Sequence, residues 1–512
     1  MTTLPTVQRL IPPKPASLQK EIAMKSMRDK MLRKVKEYKE KKCHKDGNIK
    51  SGNLTKSEAK GLKDIGERIK RKEVVIFETD KSSKFTVDTP NNYKQTIQKH
   101  TEGDDIIDEE TVRKLEKENN MHLSQLNRMF KVGSNLNHGS RIAGASTSTN
   151  VPPPPIYGTR KDHKPEEPDQ EHLGPDVRPV VGAKEAPNSR LGHFVSKVIN
   201  HFVECEEDST LCNSTEDMKA AFEAFNKLDN ETKKKCRIVS MDVKALFPSM
   251  MWDDIVQAVL ELIENSKMNI DGVNWREVGK YVAVFVPSEV IEAQGLRNVV
   301  PKSNCQPGRA RTINFLQSEE NDSKWTEVRM PGSRQKRKLL ALAIATSVRV
   351  VLKNHTYKLG DAIYRQTEGG PIGLELTGTV SKPYMMKWNK TYLKKVQNAK
   401  MNGSEYDQNS GKLVIENQSD EHEEEDARLA RILSQIANSV QESIKVTSDY
   451  PSKNEDGKMA VLDLKVWMDD EHNILFQHIR NPWLVERLSI HNQPTQYHAR
   501  SPRMFRKLSE EC

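Results

Sequence analysis

The sequence predicts a mixed α/β chain of more than one lobe, and three observations carry that prediction. Short strand-like runs such as VVIF (74–77), KFTVD (84–88) and SMDVK (240–244) are followed by longer stretches of helical character. At 512 residues the chain can bury a full core, in one large multi-lobed domain or two to three smaller ones. Hydrophobic content of 35% against 30% charged describes a polar surface with extended loops. No run approaches the ~20 apolar residues of a membrane span, and the N-terminus lacks an apolar signal core. An intracellular, non-membrane protein is expected, with nucleus or cytoplasm left open.

The six cysteines include no CxxC pair, which disfavours a zinc knuckle or a disulfide framework and predicts free thiols. The formal net charge of +9 favours polyanions only where the cations cluster. They do so at 20–47, a helical run with a cation on nearly every turn, where a solvated helix face is favoured over a handle for nucleic acid. A second charged helix, 53–73, opens with the capping pair Thr55 and Glu58 and leads into the strand at 74–77.

Another strand, 84–88, and a charged helix ending near Phe130 come next. Residues 133–155 read as a loop closing on the stiff run Pro152–Pro155. IYGTRKDHKPEEP (156–168) and VRPVVGAKEAPNSRLGHFVSKVINHFV (177–203) then set Lys161, Lys164 and Arg178 around short strands and turns. Each alone reads as surface charge. SMDVKALFPSM (240–250) has the pattern of a buried strand that ends by presenting Asp242, with Phe247 five residues on. Helices are expected at 252–267 and 275–286, a basic irregular stretch at 298–338 and an apolar helix at 338–354. YRQTEGGPIG (364–373) is a Gly-rich turn entering another helix, where Gly369, Gly370 and Gly373 allow close backbone approach.

Taken in order, these blocks resemble the reverse transcriptases of retroelements, most closely the Penelope-like and related non-LTR group, over roughly residues 53–505. ETDKSSKFTV looks like the first fingers motif, with Ser82 where the family has glycine. IYGTRKDHKP and VRPVV stand where the family has its YGLPKIHKP-like and RPIVS segments. MDVKALFPSM matches motif A and YRQTEGGPIG motif B, with Ile372 in place of methionine. LDLKVWMDDEHNILFQHIRNPW resembles the late palm hairpin, and IHNQPTQYHARSPRMFRKL the start of the thumb.

The resemblance implies a right-hand polymerase fold: a basic extension at 1–72, fingers at 73–235, an antiparallel-sheet palm at 236–483 and a truncated thumb at 484–512. It implies Asp242 as catalytic carboxylate and Mg2+ ligand and Phe247 as the gate that excludes a ribose 2′-hydroxyl. Lys81, Lys164 and Arg178 are implied as triphosphate contacts, with Gln366, Gly369 and Gly373 supporting template and incoming base. RNA template, DNA primer and deoxynucleoside triphosphates are the implied partners. No endonuclease or RNase H segment is expected.

One family motif is missing. The YxDD hairpin of motif C should follow the motif B helix, yet residues 389–418 run into an acidic linker with no adjacent aspartates. Tyr406 and Asp407 read as a polar loop, and Met468, Asp469 and Asp470 as the turn of the late hairpin. The acidic run at 420–426 reads as a solvated helix start, and His491 and His498 as packing or surface residues. Two-metal nucleotidyl transfer holds its ions ~3.5 to 4 Å apart, which one aspartate cannot organise. Two readings stay open: an RNA-directed DNA polymerase, or a catalytically inert nucleic-acid-binding remnant, and a skipped stretch of coding sequence leaves the same signature. A basic helical scaffold without a polymerase fold is a third.

Overall fold

The computed structural model describes residues 56–80, 84–130, 150–161, 177–206, 215–234, 236–300, 329, 331–402, 425–461 and 464–479. Residues up to Val75 fall in one compact unit and those from Ile76 in another. In the first, α1 (Lys56–Lys70) ends where Lys72 turns to φ 57°. There the Lys72 N–H donates to the Ile69 carbonyl and the Glu73 N–H to the Arg68 carbonyl. Glu73 also pairs with exposed Arg68 and Arg71. The predicted capping residue Thr55 lies outside the described residues.

The chain continues through β1 (Val75–Glu78), β2 (Phe85–Asp88), α2 (Pro90–Gln98), β3 (Asp105–Ile107), α3 (Glu109–Met129), β4 (Ile156–Arg160), β5 (Val177–Val181) and α4 (Ser189–Glu204). Then come α5 (Thr215–Asn226), α6 (Asn230–Lys234), β6 (Ser240–Lys244), α7 (Leu246–Ser249), α8 (Trp252–Asn265), α9 (Trp275–Phe285), α10 (Ser288–Ala293) and α11 (Ser333–Lys353). Last are β7 (Thr356–Leu359), β8 (Ala362–Arg365), α12 (Glu375–Asn402), α13 (Glu425–Asn438), β9 (Lys445–Asp449), β10 (Met459–Val461), β11 (Leu464–Met468) and β12 (Ile474–His478). The second unit is therefore α+β, with small sheets among helices.

Its core is helical, and α11 is the central post. From Leu339 to Leu352 nearly every side chain of α11 is buried, as a helix apolar on all sides requires. Against it lies α8, whose Ile255, Ala258, Val259, Leu262 and Ile263 recur at three- and four-residue spacing and so share one face. Helices α4 and α9 also pack on α11, and α12 covers α4 and α8. Each buried Leu, Ile or Val stabilises this core by roughly 1.5 to 3 kcal/mol.

One polar chain crosses it. Ser347 Oγ donates to the Ala343 carbonyl, so the Tyr281 hydroxyl donates to Ser347 and accepts from His122 Nδ1, at 2.8 and 2.6 Å. Burial holds the His122 imidazole neutral, with its pKa pushed down to about 3.

The named strand pairings are antiparallel: β4 with β5, β6 with β9, β8 with both β3 and β7, and β11 with both β10 and β12. Met459, Leu464, Val466 and Ile474 form a separate small core under the last sheet, backed by Met218, Phe222 and Phe225 of α5. The Asn226 side chain bonds both the N–H and the carbonyl of Ile474, holding the start of β12.

The structure corrects three expectations. The charged helical stretch that ends near Phe130 is two helices, α2 and α3, with β3 between them, and the basic stretch expected to be irregular to 338 is helical from Ser333. Strand β6 is not a buried strand: Asp242 and Lys244 are exposed and the rest of it is half-buried. Among the described residues β9 is its one strand partner, and on its other face Tyr392 of α12 reaches the Met241 sulfur at 3.9 Å. Of the stretch 389–418, where motif C is missing, residues 389–402 continue α12, and residues 403–424, with Tyr406 and Asp407, lie outside the described residues.

Candidate functional site

The Gly-rich turn between β8 and α12 is clamped from two sides. The Gly370 N–H donates to the Phe247 carbonyl at 2.8 Å, and the Trp252 indole donates to the Gly369 carbonyl at 2.7 Å. On the opposite flank the Val181 N–H at the end of β5 donates to the Ile372 carbonyl at 2.8 Å. Gly369 has φ +68°, and a Cβ there would stand 2.5 Å from the Pro248 carbonyl oxygen. Gly373 has φ +109°, and a Cβ there would stand 2.1 Å from the Val181 carbonyl oxygen. Both positions require glycine twice over, for backbone conformation and for space. Phe247, Gly369 and Gly373 are thereby brought together, although more than 120 residues separate the first two in sequence.

Gln366 sits at the entry to this turn, where its N–H donates to the His355 carbonyl. Its side-chain amide donates to the Glu368 carbonyl at 2.6 Å, so that donor is used within the turn itself. Asp104 braces the next residue, accepting from the Thr367 N–H and from the Tyr357 hydroxyl. Burial raises the Asp104 pKa, and the bonds from Tyr357 and Thr367 offset part of that rise.

Asp242 lies on the open face of the β6–β9 pair. Register and strand alternation place Ser240, Asp242 and Lys244 on one face with Asp449, Thr447 and Lys445 directly opposite. Asp449 is the nearest second carboxylate along this ladder, but its Oδ1 already accepts from the Tyr450 N–H and the Asn454 amide. After Lys244 the chain turns sharply through Ala245, at φ 48° and ψ 49°, before Phe247. A left-handed alanine costs about 1 to 2 kcal/mol, so the surrounding contacts impose this turn.

Arg178 lies on β5, three residues before Val181, or about 10 Å along a strand. Its guanidinium meets the Asp80 carboxylate at 3.0 Å. Thr79 bridges to Arg160, and the Asp80 N–H donates to the Arg160 carbonyl at 2.7 Å, which fixes Asp80 beside the β4–β5 hairpin. Lys81 and Lys164, the other two predicted phosphate contacts, lie outside the described residues, as do His491 and His498.

Sequence reasoning missed Asp80, Pro248, Trp252, Val181 and Asp104. None carries a local signal, because each acts on a partner remote in sequence. Of the MDD triplet Met468 ends β11, and Asp469 and Asp470 stand in the turn as expected: Asp469 accepts from the Asn473 and Glu471 N–H groups, and those bonds hold its carboxyl below the usual range.

Mg2+ requires near-octahedral oxygen ligation, and along the β6–β9 ladder Asp242 is the one carboxylate without a described hydrogen bond. Among the described residues no group of three or more His, Cys, Asp or Glu converges on a metal position. These residues do not by themselves fit a two-metal centre. What the hydrogen bonds assemble is a junction of three segments, the end of β5, the turn after β6 and the Gly-rich turn, with Arg178 and Asp242 on the strands that lead into it. Searches against protein-family models, curated proteins and solved structures found no match to this chain.

Proposed function

We propose that the chain is a reverse-transcriptase-type protein of retroelement origin that binds an RNA template with a DNA primer and an incoming nucleotide at this junction. The observation that carries the reading is the clamp: the turn resembling motif B is bonded to the turn resembling motif A through Gly370 and Phe247, and to the fingers-like strand through Ile372 and Val181. A polymerase nucleotide pocket needs those segments side by side. Arg178 is the described cation for the triphosphate, Phe247 the residue beside the sugar, and the Gly369–Gly373 backbone the surface against the base. Bound Mg2+ would supply charge neutralisation to the triphosphate, and Asp242 would contribute one ligand to it without being able to hold it alone.

A second reading is favoured because Asp242 is the one carboxylate of its ladder without a described hydrogen bond. Phosphate neutralisation carries most of the affinity for nucleic acid and needs no catalytic pair, so the same surface serves an inert binding protein. Primer extension decides between them. Poly(rA) primed with oligo(dT) is incubated with dTTP, Mg2+ and either the unaltered chain or Asp242→Asn. Extension that Asp242→Asn abolishes supports the polymerase. Template binding without extension supports the inert protein, and neither activity removes both readings.

A further inference from the structure

The Asp80 carboxylate is a buried charged group beside the β4–β5 hairpin. Its side chain is 7% exposed, against 45% for Arg178, its described ion-pair partner at 3.0 Å. Asp80 Oδ2 is buried with no hydrogen-bond partner among the described residues, so the guanidinium is what compensates this carboxylate there. Burying a charge this far is unfavourable unless its partner is fixed in place. The fixing is visible on the backbone, where Asp80 is bonded to Arg160 of β4 and Arg178 lies on β5 opposite Thr159.

We infer that Asp80 is a positioning residue for Arg178: it binds one side of the guanidinium and leaves the exposed remainder as a preformed anchor for a polyphosphate. The inference rests on the nucleotide-binding reading above and adds a residue that reading did not contain. An arginine side chain is flexible, and its planar fork discriminates a triphosphate only when its orientation is set before the ligand arrives. A buried carboxylate sets it without competing for the exposed donors. The neighbouring strand end carries the Val181 bond to Ile372, so the anchor and the Gly-rich turn share one rigid support.

The test measures binding of fluorescent mant-dATP to the full chain, with dTTP and dTMP as competitors. Unaltered protein should prefer dTTP to dTMP. Arg178→Ala should lower affinity for dTTP by about tenfold, the size of one charge-assisted contact, and leave dTMP nearly unchanged. Asp80→Asn should reproduce that loss of preference, and the double variant should be no weaker than Arg178→Ala alone. Asp80→Glu keeps the charge while moving the carboxylate by one methylene, and should fall between the unaltered chain and Asp80→Asn.

A merely structural ion pair would lower thermal stability without moving the triphosphate preference. An unchanged preference in both Asp80 variants, while Arg178→Ala loses it, overturns the inference and leaves the nucleotide-binding reading standing. Losses that add in the double variant overturn it as well. Failure of the unaltered chain to bind mant-dATP overturns the parent reading and the inference with it.

Discussion

Gly373 and Gly378 are five residues apart, yet the structure assigns them opposite sensitivities. At Gly373 an added methyl would meet the Val181 carbonyl oxygen at 2.1 Å on a backbone of φ +109°, whereas at Gly378, inside α12, it meets nothing within 4 Å. Gly373→Ala should therefore destabilise the protein by about 3 kcal/mol, as should Gly369→Ala, since neither neighbouring backbone can yield cheaply. Gly378→Ala should stabilise it by about 0.5 to 1 kcal/mol, because alanine is the better residue inside a helix. Urea denaturation of the three variants reads both signs. The sequence signals the glycines as places of close approach but leaves out what approaches: Pro248 and Val181 are ordinary residues whose role exists only once the chain is folded. Asp80 is hidden for the same reason, as its partner Arg178 is nearly a hundred residues away.

Elements with a strong internal pattern were legible, and elements defined by a partner were not. The apolar run of α11 and the spaced aliphatics of α8 announce buried helices, and the structure places both where expected. β9, KVTSD, carries one buried apolar residue and had no such signal; pairing with β6 makes it a strand. The exposure of β6 has the same origin, since how many strands flank it is not written in its own five residues.

The packing of α3, α9 and α11 around His122 gives the elements a pH dependence. Folding holds the His122 pKa at about 3, below the ordinary 6.5, so the unfolded chain binds the extra proton between those values. Stability from this group is present above pH 6.5 and falls as the pH drops toward 3, by on the order of 2 kcal/mol at pH 5. Buried His355, also held at about 3 by desolvation, acts in the same direction. Denaturation midpoints between pH 7.5 and 5 should fall, and His122→Gln should flatten the slope.

For the whole molecule, the described fold brings together Phe247, Gly369 and Gly373, and joins them to the end of β5, the strand that carries Arg178, from segments spread over nearly two hundred residues. The order of those segments was legible as a resemblance; their convergence was not, because it depends on hydrogen bonds between turns. Binding that rests on phosphate contacts should weaken steeply with salt, with log K falling linearly in log salt concentration. On this reading the junction of the three segments lies against a primed template. Fluorescence anisotropy of labelled oligo(dT) annealed to poly(rA), titrated with the full chain across a salt series, measures that binding. Saturable binding that weakens steeply as salt rises is the expected result. Absence of binding at low salt, or binding that salt leaves unchanged, would overturn the reading.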